Sequence, residues 1–514
     1  GRYLSIECLI SHPSCFELME LLFIFTSLVL FLSFILLLRK QSKTFNKKLP
    51  PGPWKLPFIG NLHQLINGRL PHHTFRDLSR KYGPIFHLRL GEVPHVVVSS
   101  PDIAKEIMKN QDLNFATRPQ LMVGEIIMYN YSDIGTCPYG DYWRNMRKVC
   151  IVELLSTKMV KSFDSIRQAE MSSLISSINS MPDSLINLTD KIFWFTGSVT
   201  CRSAFGKIIN GQDKLIMLIK DITLLAGGTD LADLFPSRKW LHQIYGLKSK
   251  ILKVHKEADV ILENIINEHQ KNRANGKKGN SEYGGEDLVD VLLRVMESGE
   301  LGTPITNNNI KAVIFDMFVA GAETSSAIII WAWAEMIRNP SIMAKAKFEV
   351  RQVLKGKTIF EDTDLEELKY LKLVIKETLR LHPPFPLLLP RECREETRIG
   401  EYTIPIKTRV LINAWAIGRD PEYWHNSENF IPERFDNSSI DFRGNHFEFI
   451  PFGAGRRMCP GWLFGLMNVE HPLAQLLYHF DWRTPYEENF DMTETDGITA
   501  IRKDDLCLIA TPFQ

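Results

Sequence analysis

The run Phe452-Gly453-Ala454-Gly455-Arg456-Arg457-Met458-Cys459-Pro460-Gly461 sets one cysteine in a turn rich in glycine and arginine. Glycines let the backbone double back tightly, and amides in such a turn can point at the sulfur and hold it as thiolate. The chemistry on offer is ligation of a metal by Cys459; the bland alternative is a small buried side chain. A second run, Ala320-Gly321-Ala322-Glu323-Thr324-Ser325, places an acid beside an alcohol after small residues. Inside a helix it can open a turn, so that a carbonyl accepts something other than its own amide. Glu323 can then pass protons and Thr324 can hydrogen-bond a bound molecule, although a satisfied polar kink reads equally well from this run alone. Glu377 and Arg380, three apart, share a helix face and can pair. Trp143 and Arg147, four apart, can clamp one carboxylate between an indole N–H and a guanidinium.

These residues need elements to hold them. Thr306 can cap a helix that Asn307 begins and Arg338-Asn339-Pro340 ends, ~32 residues or roughly 48 Å at 1.5 Å per residue. Its middle is apolar enough to be buried, yet it carries Lys311, Asp316 and Glu323, which a spanning helix would hardly hold together. It is therefore expected to be the central helix of a globular body. Ile85–Leu90 and His95–Ser99 flank Gly91-Glu92-Val93-Pro94 as a β-hairpin. Helical patterning dominates from about 100 to 390. Strand-like runs return at Glu401–Ile404, Arg409–Ile412 and in the last fifteen residues. Lys271–Gly285, rich in Gly, Asn and Lys, reads as a surface loop.

The 514 residues carry 44% hydrophobic and 24% charged side chains with a formal net charge of +1, an ordinary folded composition. Neither this balance nor any basic, aromatic-interleaved stripe points to nucleic acid. Eight cysteines are scattered without a CxxC pair, which argues against a zinc ribbon and for reduced thiols in the cytosol. Leu21–Leu38 is an uncharged apolar run followed by Arg39, Lys40, Lys43, Lys47 and Lys48, the pattern of a membrane anchor with the bulk of the chain on the cytosolic side. A signal peptide is the competing reading, disfavoured because no small-residue cleavage site follows. The cytosolic topology implies that the sequons at Asn130, Asn187 and Asn437 carry no glycan. Met19 stands directly before the apolar run, so residues 1–18 are expected to be an upstream extension, 19–48 the anchor with its basic flank, and 49–514 the catalytic domain.

The cysteine run fits FxxGxRxCxG, and from Leu49 onward the chain resembles the cytochrome P-450 superfamily. Pro50-Pro51-Gly52-Pro53, Pro138-Tyr139-Gly140-Asp141-Tyr142-Trp143-Arg144 and Arg380-Leu381-His382-Pro383-Pro384 resemble its plant microsomal members. Ala232-Asp233-Leu234-Phe235-Pro236, Ile314-Phe315-Asp316-Met317 and Leu388-Leu389-Pro390-Arg391-Glu392-Cys393 resemble the plant group that hydroxylates mono- and sesquiterpenes, of the premnaspirodiene oxygenase type. Small departures are Ala322, where that group usually has Thr, Glu470-His471, and Gly135-Thr136-Cys137; they put substrate identity in doubt more than mechanism.

The resemblance implies a mainly α body with a small β-rich lobe behind one N-terminal transmembrane helix. It implies haem b with Cys459 as axial ligand, the thiolate arrangement that favours O–O cleavage. Phe452, Arg457 and Gly461 of the same loop, with Trp143, Arg147 and Arg391, are the other expected haem contacts; Arg391 can also be purely structural. Glu323 and Thr324 become the proton-relay and dioxygen-binding residues. Arg434, in Phe430-Ile431-Pro432-Glu433-Arg434-Phe435, completes a buried structural triad with Glu377 and Arg380. Pocket walls fall at Leu121–Tyr131, Phe315–Thr324, Pro384–Leu389 and Gly497–Ile501, with Ile126, Ile127, Phe318, Ala320, Phe385, Leu387, Leu388 and Ile498 as lining residues. Such an apolar set suits a lipophilic substrate held by shape.

The implied activity is insertion of one oxygen atom of O2 into a C–H bond of a lipophilic plant metabolite, foremost a sesquiterpene. No dinucleotide fingerprint is present, so NADPH electrons arrive through a separate NADPH–cytochrome P-450 reductase. That partner is expected to dock where Arg456, Arg457 and the Trp143–Lys148 helix gather positive charge, at the endoplasmic reticulum membrane. A monoterpene, diterpene, phenylpropanoid or alkaloid substrate remains open. So do an O2-independent haem-thiolate isomerase or dehydratase, against which Glu323-Thr324 argues, and a non-catalytic haem-binding protein.

Overall fold

A computed structural model describes residue 20, residues 22–33 and residues 48–513, apart from 67, 228–230, 239, 242–245, 277–284, 300–301, 358–359, 361, 486–489 and 496. The expected extension 1–18, the basic flank from Arg39 to Lys47 and the centre of the Lys271–Gly285 loop lie outside the described residues.

Helix α1 (Leu22–Ser33) is apolar, and its large side chains are exposed. It covers part of the expected anchor and, at 1.5 Å per residue, is by itself too short for a hydrocarbon core of about 30 Å. Helix α2 (Pro71–Tyr82) leads into β1 (Ile85–Leu90) and β2 (Val93–Val98), an antiparallel pair in which Leu90 faces Val93. The second strand thus begins two residues earlier than its sequence suggests. Pro94 is accommodated because β2 meets its other neighbour only from His95 on, where a missing N–H costs nothing. Helices α3 (Met122–Ile126) and α4 (Asp141–Val149) follow.

A short strand, β3 (Leu185–Asn187), interrupts the stretch expected to be helical. Helices α5 (Leu188–Phe205), α6 (Gln212–Gly227), α7 (Leu247–Ala274), α8 (Asn307–Arg338) and α9 (Lys369–Leu381) come next. Strands β4 (Arg391–Glu392), β5 (Thr397–Ile399), β6 (Tyr402–Ile404) and β7 (Arg409–Ile412) precede α10 (Trp462–His479), and β8 (Phe480–Arg483) and β9 (Cys507–Pro512) close the chain. One sheet has the order β1-β2-β7-β4; another, β3-β9-β8, joins the middle of the chain to its end; β5 and β6 form a hairpin. The architecture is mainly helical with small sheets.

Helix α8 behaves as its sequence predicts. Thr306 and Asn309 form a reciprocal capping box, and the helix runs 32 residues from Asn307. It is apolar enough to cross a membrane, but 67% of its most apolar window is buried within the protein, the mark of a core helix. It packs against α5, α9 and α10. Gly321 permits the close approach: a Cβ there would lie 3.1 Å from Thr200 Cγ2 on α5 and 3.3 Å from the Phe464 ring on α10. Helix α9 buries Leu371, Val374, Ile375, Thr378 and Leu379, the three–four spacing of one apolar face.

Candidate active site

The cysteine loop is a tight turn ahead of α10. The Cys459 amide donates to Phe452 O at 2.9 Å and the Met458 amide to Gly455 O at 3.0 Å. Gly455 has φ +70°, and a Cβ there would stand 1.9 Å from Met108 O, so no other residue fits without moving the backbone. Burial pushes the Cys459 thiol up; a hydrogen bond from the Gly461 amide and the nearby Arg147 oppose it. Phe452 sits edge-on to Phe442 at 5.3 Å.

Four arginines gather beside this turn. Arg457 is buried and bonds a carbonyl through each of its three guanidinium nitrogens: Nε to Ala116 O at 2.6 Å, Nη1 to Ile134 O at 3.2 Å and Nη2 to Cys137 O at 2.5 Å. Its guanidinium lies 4.0 Å over the ring of Trp143, whose Nε1 donates to Ile134 O at 3.0 Å. Arg147 donates to Met458 O at 2.5 Å. Arg391 joins Asp112 Oδ1 at 3.1 Å to Ala454 O at 2.9 Å. Arg118 reaches Gly135 O, Leu389 O and Pro390 O at 3.1, 2.6 and 2.8 Å. Burial lowers the pKa of all four, and Arg118, crowded by Arg457, Arg391 and Arg147, falls well below its ordinary value. Guanidinium does not deprotonate in proteins, so the cluster holds more buried positive charge than the Asp112 pairing answers.

The polar residues of α8 each have a distinct setting. Lys311 donates to Asp259 and Glu263 of α7, both at 2.6 Å. Asp316 Oδ2 accepts the amides of Ile134 and Gly135 at 3.3 and 3.0 Å and so pins the loop before Trp143 to the helix. Burial and the neighbouring Asp133 push Asp316 up to about 8. Glu323 is raised to about 7 by burial, against the pull of Thr223 and Lys220 on α6. Its Oε2 is buried and has no hydrogen-bond partner among the described residues. The helix is unbroken at this point, so the expected opening of the turn is not seen; Thr324 Oγ1 instead donates back to Ala320 O at 2.6 Å. Ala320 is exposed although residues 310–315 and 325–336 of the helix are buried, so the helix leaves an open face between Asp316 and Thr324.

Glu377, Arg380 and Arg434 come together fully. Arg380 binds the Glu377 carboxylate in bidentate fashion at 2.7 and 2.8 Å, and Arg434 Nε adds a contact at 3.0 Å. Of the expected wall residues, Ile126, Ala320, Phe385, Leu387, Leu388 and Ile498 keep partial or full exposure, while Ile127 and Phe318 are shut into the core, Phe318 packing 6.2 Å from Phe205. Leu388 adopts φ +52°.

Arg118, Asp112 and Asp133 escape sequence reasoning. Each is a single charged residue in an aperiodic stretch, where a solvated surface position is the default. The site fits a flat, dianionic macrocycle: a sulfur on a turn whose glycines admit close backbone approach, an open helix face, and buried guanidiniums short of carboxylates. Haem b carries two propionates and an iron that a thiolate can hold.

Comparison with known proteins agrees. The family model for cytochrome P-450 matches residues 50–508. Premnaspirodiene oxygenase of Hyoscyamus muticus is 59% identical over 497 residues, covering 96% of this chain and 99% of that protein. The 5-epiaristolochene 1,3-dihydroxylase of Nicotiana tabacum is 56% identical over 499 residues, 96% and 99% of the two chains. A zebra fish cytochrome P-450 solved with progesterone superimposes with a TM-score of 0.74 at 24% identity, over 87% of this chain and all of that one, which shows the shared fold. The chain therefore belongs to the cytochrome P-450 family, and it is a haem b-dependent monooxygenase supplied with NADPH-derived electrons by a redox-partner reductase.

Proposed function

We propose that the protein hydroxylates a sesquiterpene hydrocarbon, and that Cys459 is the residue that would hold the haem iron. The substrate class is carried by the likeness of 96% of the chain to two plant enzymes named for oxidation of such compounds. The partly exposed wall residues Ala320, Phe385, Leu387, Leu388 and Ile498 support it, because they offer shape and apolar surface without a charge.

Bound haem supplies the iron at which dioxygen is activated. The chain's own residues do the rest. Arg147, Arg391 and Arg457 would hold the propionates, since a guanidinium bonds a carboxylate more strongly than a carbonyl. The Thr324 hydroxyl, which donates to Ala320 O, would be the group that offers dioxygen a hydrogen bond. Glu323, near half-protonated at neutral pH, gives up a proton and takes the next from the solvent side, where Lys220 of α6 is exposed. Buried Ile127 and Phe318 back the pocket and help exclude water. Glu377, Arg380 and Arg434 fix the frame beneath the cysteine loop.

Residues 19–48 anchor the catalytic domain, 49–514, in the endoplasmic reticulum membrane; the exposed apolar side chains of α1 support this. NADPH–cytochrome P-450 reductase docks on the exposed Arg144, Lys148 and Arg456. Arg457 does not contribute to that surface, contrary to the expectation from sequence, because it is buried and bonded inward to three carbonyls.

Co-expression with a plant reductase in yeast microsomes, with NADPH and a panel of terpene hydrocarbons, tests the assignment. A hydroxylated sesquiterpene that requires NADPH supports it. A normal thiolate-type carbon monoxide spectrum with product only from another lipophilic class refutes the substrate. Thr324→Ala is expected to consume NADPH while releasing peroxide, with product down by ~10-fold or more; full, coupled turnover would remove the role of Thr324.

A further inference from the structure

The segment that carries Ile498 is fastened to α2 through Glu494. His72 Nε2 lies 2.6 Å from Glu494 Oε2, and His73 Nε2 lies 3.5 Å from the same oxygen. The side chains of His72 and Glu494 are each 7% exposed. Adjacent helical residues ordinarily diverge by about 100°, yet these two rings meet edge to face at 4.5 Å. Trp415 turns them together, stacking on His73 at 4.3 Å and taking the edge of His72 at 5.0 Å.

One carboxylate oxygen thus faces two imidazole nitrogens and bonds well to one. The Nε2 of His73 is buried and has no hydrogen-bond partner among the described residues. Arg76 and Arg419, which stack on Trp415 at 4.7 and 4.1 Å, are both paired with Glu428 at 3.1 and 3.2 Å. Glu428 answers part of their charge, and Glu494 acts on Arg419 as well.

A second group with similar composition, His269, Asp287 and Asp290, differs in this respect. His269 Nδ1 bonds Ile265 O, its Nε2 bonds Asp287, and Asp287 caps the helix Leu288–Ser298 through the Asp290 amide. Its ligand atoms are already employed.

We propose that His72, His73 and Glu494 form a binding site for a divalent ion of the zinc class, with water as fourth ligand. Their ligand atoms lie within 4.8 Å of one another. Zinc at ~2.0–2.2 Å from each needs separations of about 3.3 Å, reached by small rotations of the rings. Two imidazoles and one carboxylate are the set that zinc shares with catalytic sites; here no reacting group is near, and the ion would lock the wall bearing Ile498 onto α2.

The test uses the full-length, haem-loaded enzyme in detergent, without a polyhistidine tag, stripped by chelator and equilibrated with Zn2+ alone. After gel filtration, zinc is counted against haem iron. The expected result is one zinc per haem for the wild type and at least tenfold weaker retention for His73→Gln, which leaves the His72–Glu494 bond in place. Glu494→Gln should lose zinc as well, with an intact carbon monoxide spectrum certifying each fold. A wild type that retains no zinc overturns the proposal, as does equal retention by wild type and His73→Gln.

Discussion

Replacing Glu323 by Gln should make the protein more stable at alkaline pH while impairing catalysis. Burial raises the carboxyl from 4.5 to about 7, so the folded state holds this proton more tightly than the unfolded chain. Below pH ~4.5 both states are protonated and Glu323 carries no ionisation penalty. As pH rises through the window from 4.5 to about 7, the unfolded chain ionises first and the penalty grows; above that it is constant. At ~1.36 kcal/mol per pH unit of displacement, the step from 4.5 to about 7 amounts to about 3 kcal/mol. Gln, uncharged and of the same shape, is free of it. Thermal inactivation, followed by loss of the thiolate-type carbon monoxide spectrum, should therefore be slower for Glu323→Gln than for wild type at pH 8.5 and nearly equal at pH 5. The same variant should show product formation reduced by ~10²-fold, the usual worth of a positioned acid. A stabilisation equal at both pH values, or a loss of stability at pH 8.5, would refute the reading of Glu323 as a desolvated acid.

Two further outcomes follow from groups that cannot relax. Glu377→Gln leaves Arg380, 1% exposed, facing an amide instead of a carboxylate, and should cost ~3–5 kcal/mol, seen as little haem-loaded protein after expression; recovery near wild type counts against a structural triad. Gly455→Ala drives a methyl to 1.9 Å from Met108 O and should abolish the thiolate-type spectrum, whereas Gly140→Ala, with nothing within 4 Å, should leave it normal.

The legibility of this chain was uneven for physical reasons. The ends of α8 were readable because a capping box and an Asn-Pro stop are local signals, and the apolar stretch between them has one period. The triad of Glu377, Arg380 and Arg434 was visible as two short patterns whose meeting only the fold could supply. The strand Leu185–Asn187 was not visible: three residues carry no periodicity, and its reason for being extended is β9, more than three hundred residues away. The same holds for Arg118 and Asp112, whose partners are remote carbonyls and a remote arginine. His471, noted only as a departure in a helix, proves fully buried with neither ring nitrogen bonded among the described residues, and burial lowers its pKa to about 3. No residue spacing encodes that.

The arginine cluster also imposes an order of events during synthesis. Arg457 bonds the carbonyl of Cys137, 320 residues earlier, and β3 waits for β9 at the very end of the chain. At ~5–20 residues per second on a ribosome, the loop that holds Arg118 and Asp133 stands without its partners for tens of seconds. Its charges keep it hydrated through that interval and become a liability only once buried. The half of the molecule around the arginine cluster is thus assembled last, when the Cys459 loop arrives, and haem placed as proposed would bind only as the fold is completed. A shortage of haem should leave a nascent body with sound helices and an unfinished, arginine-rich floor, a natural target for quality-control proteases.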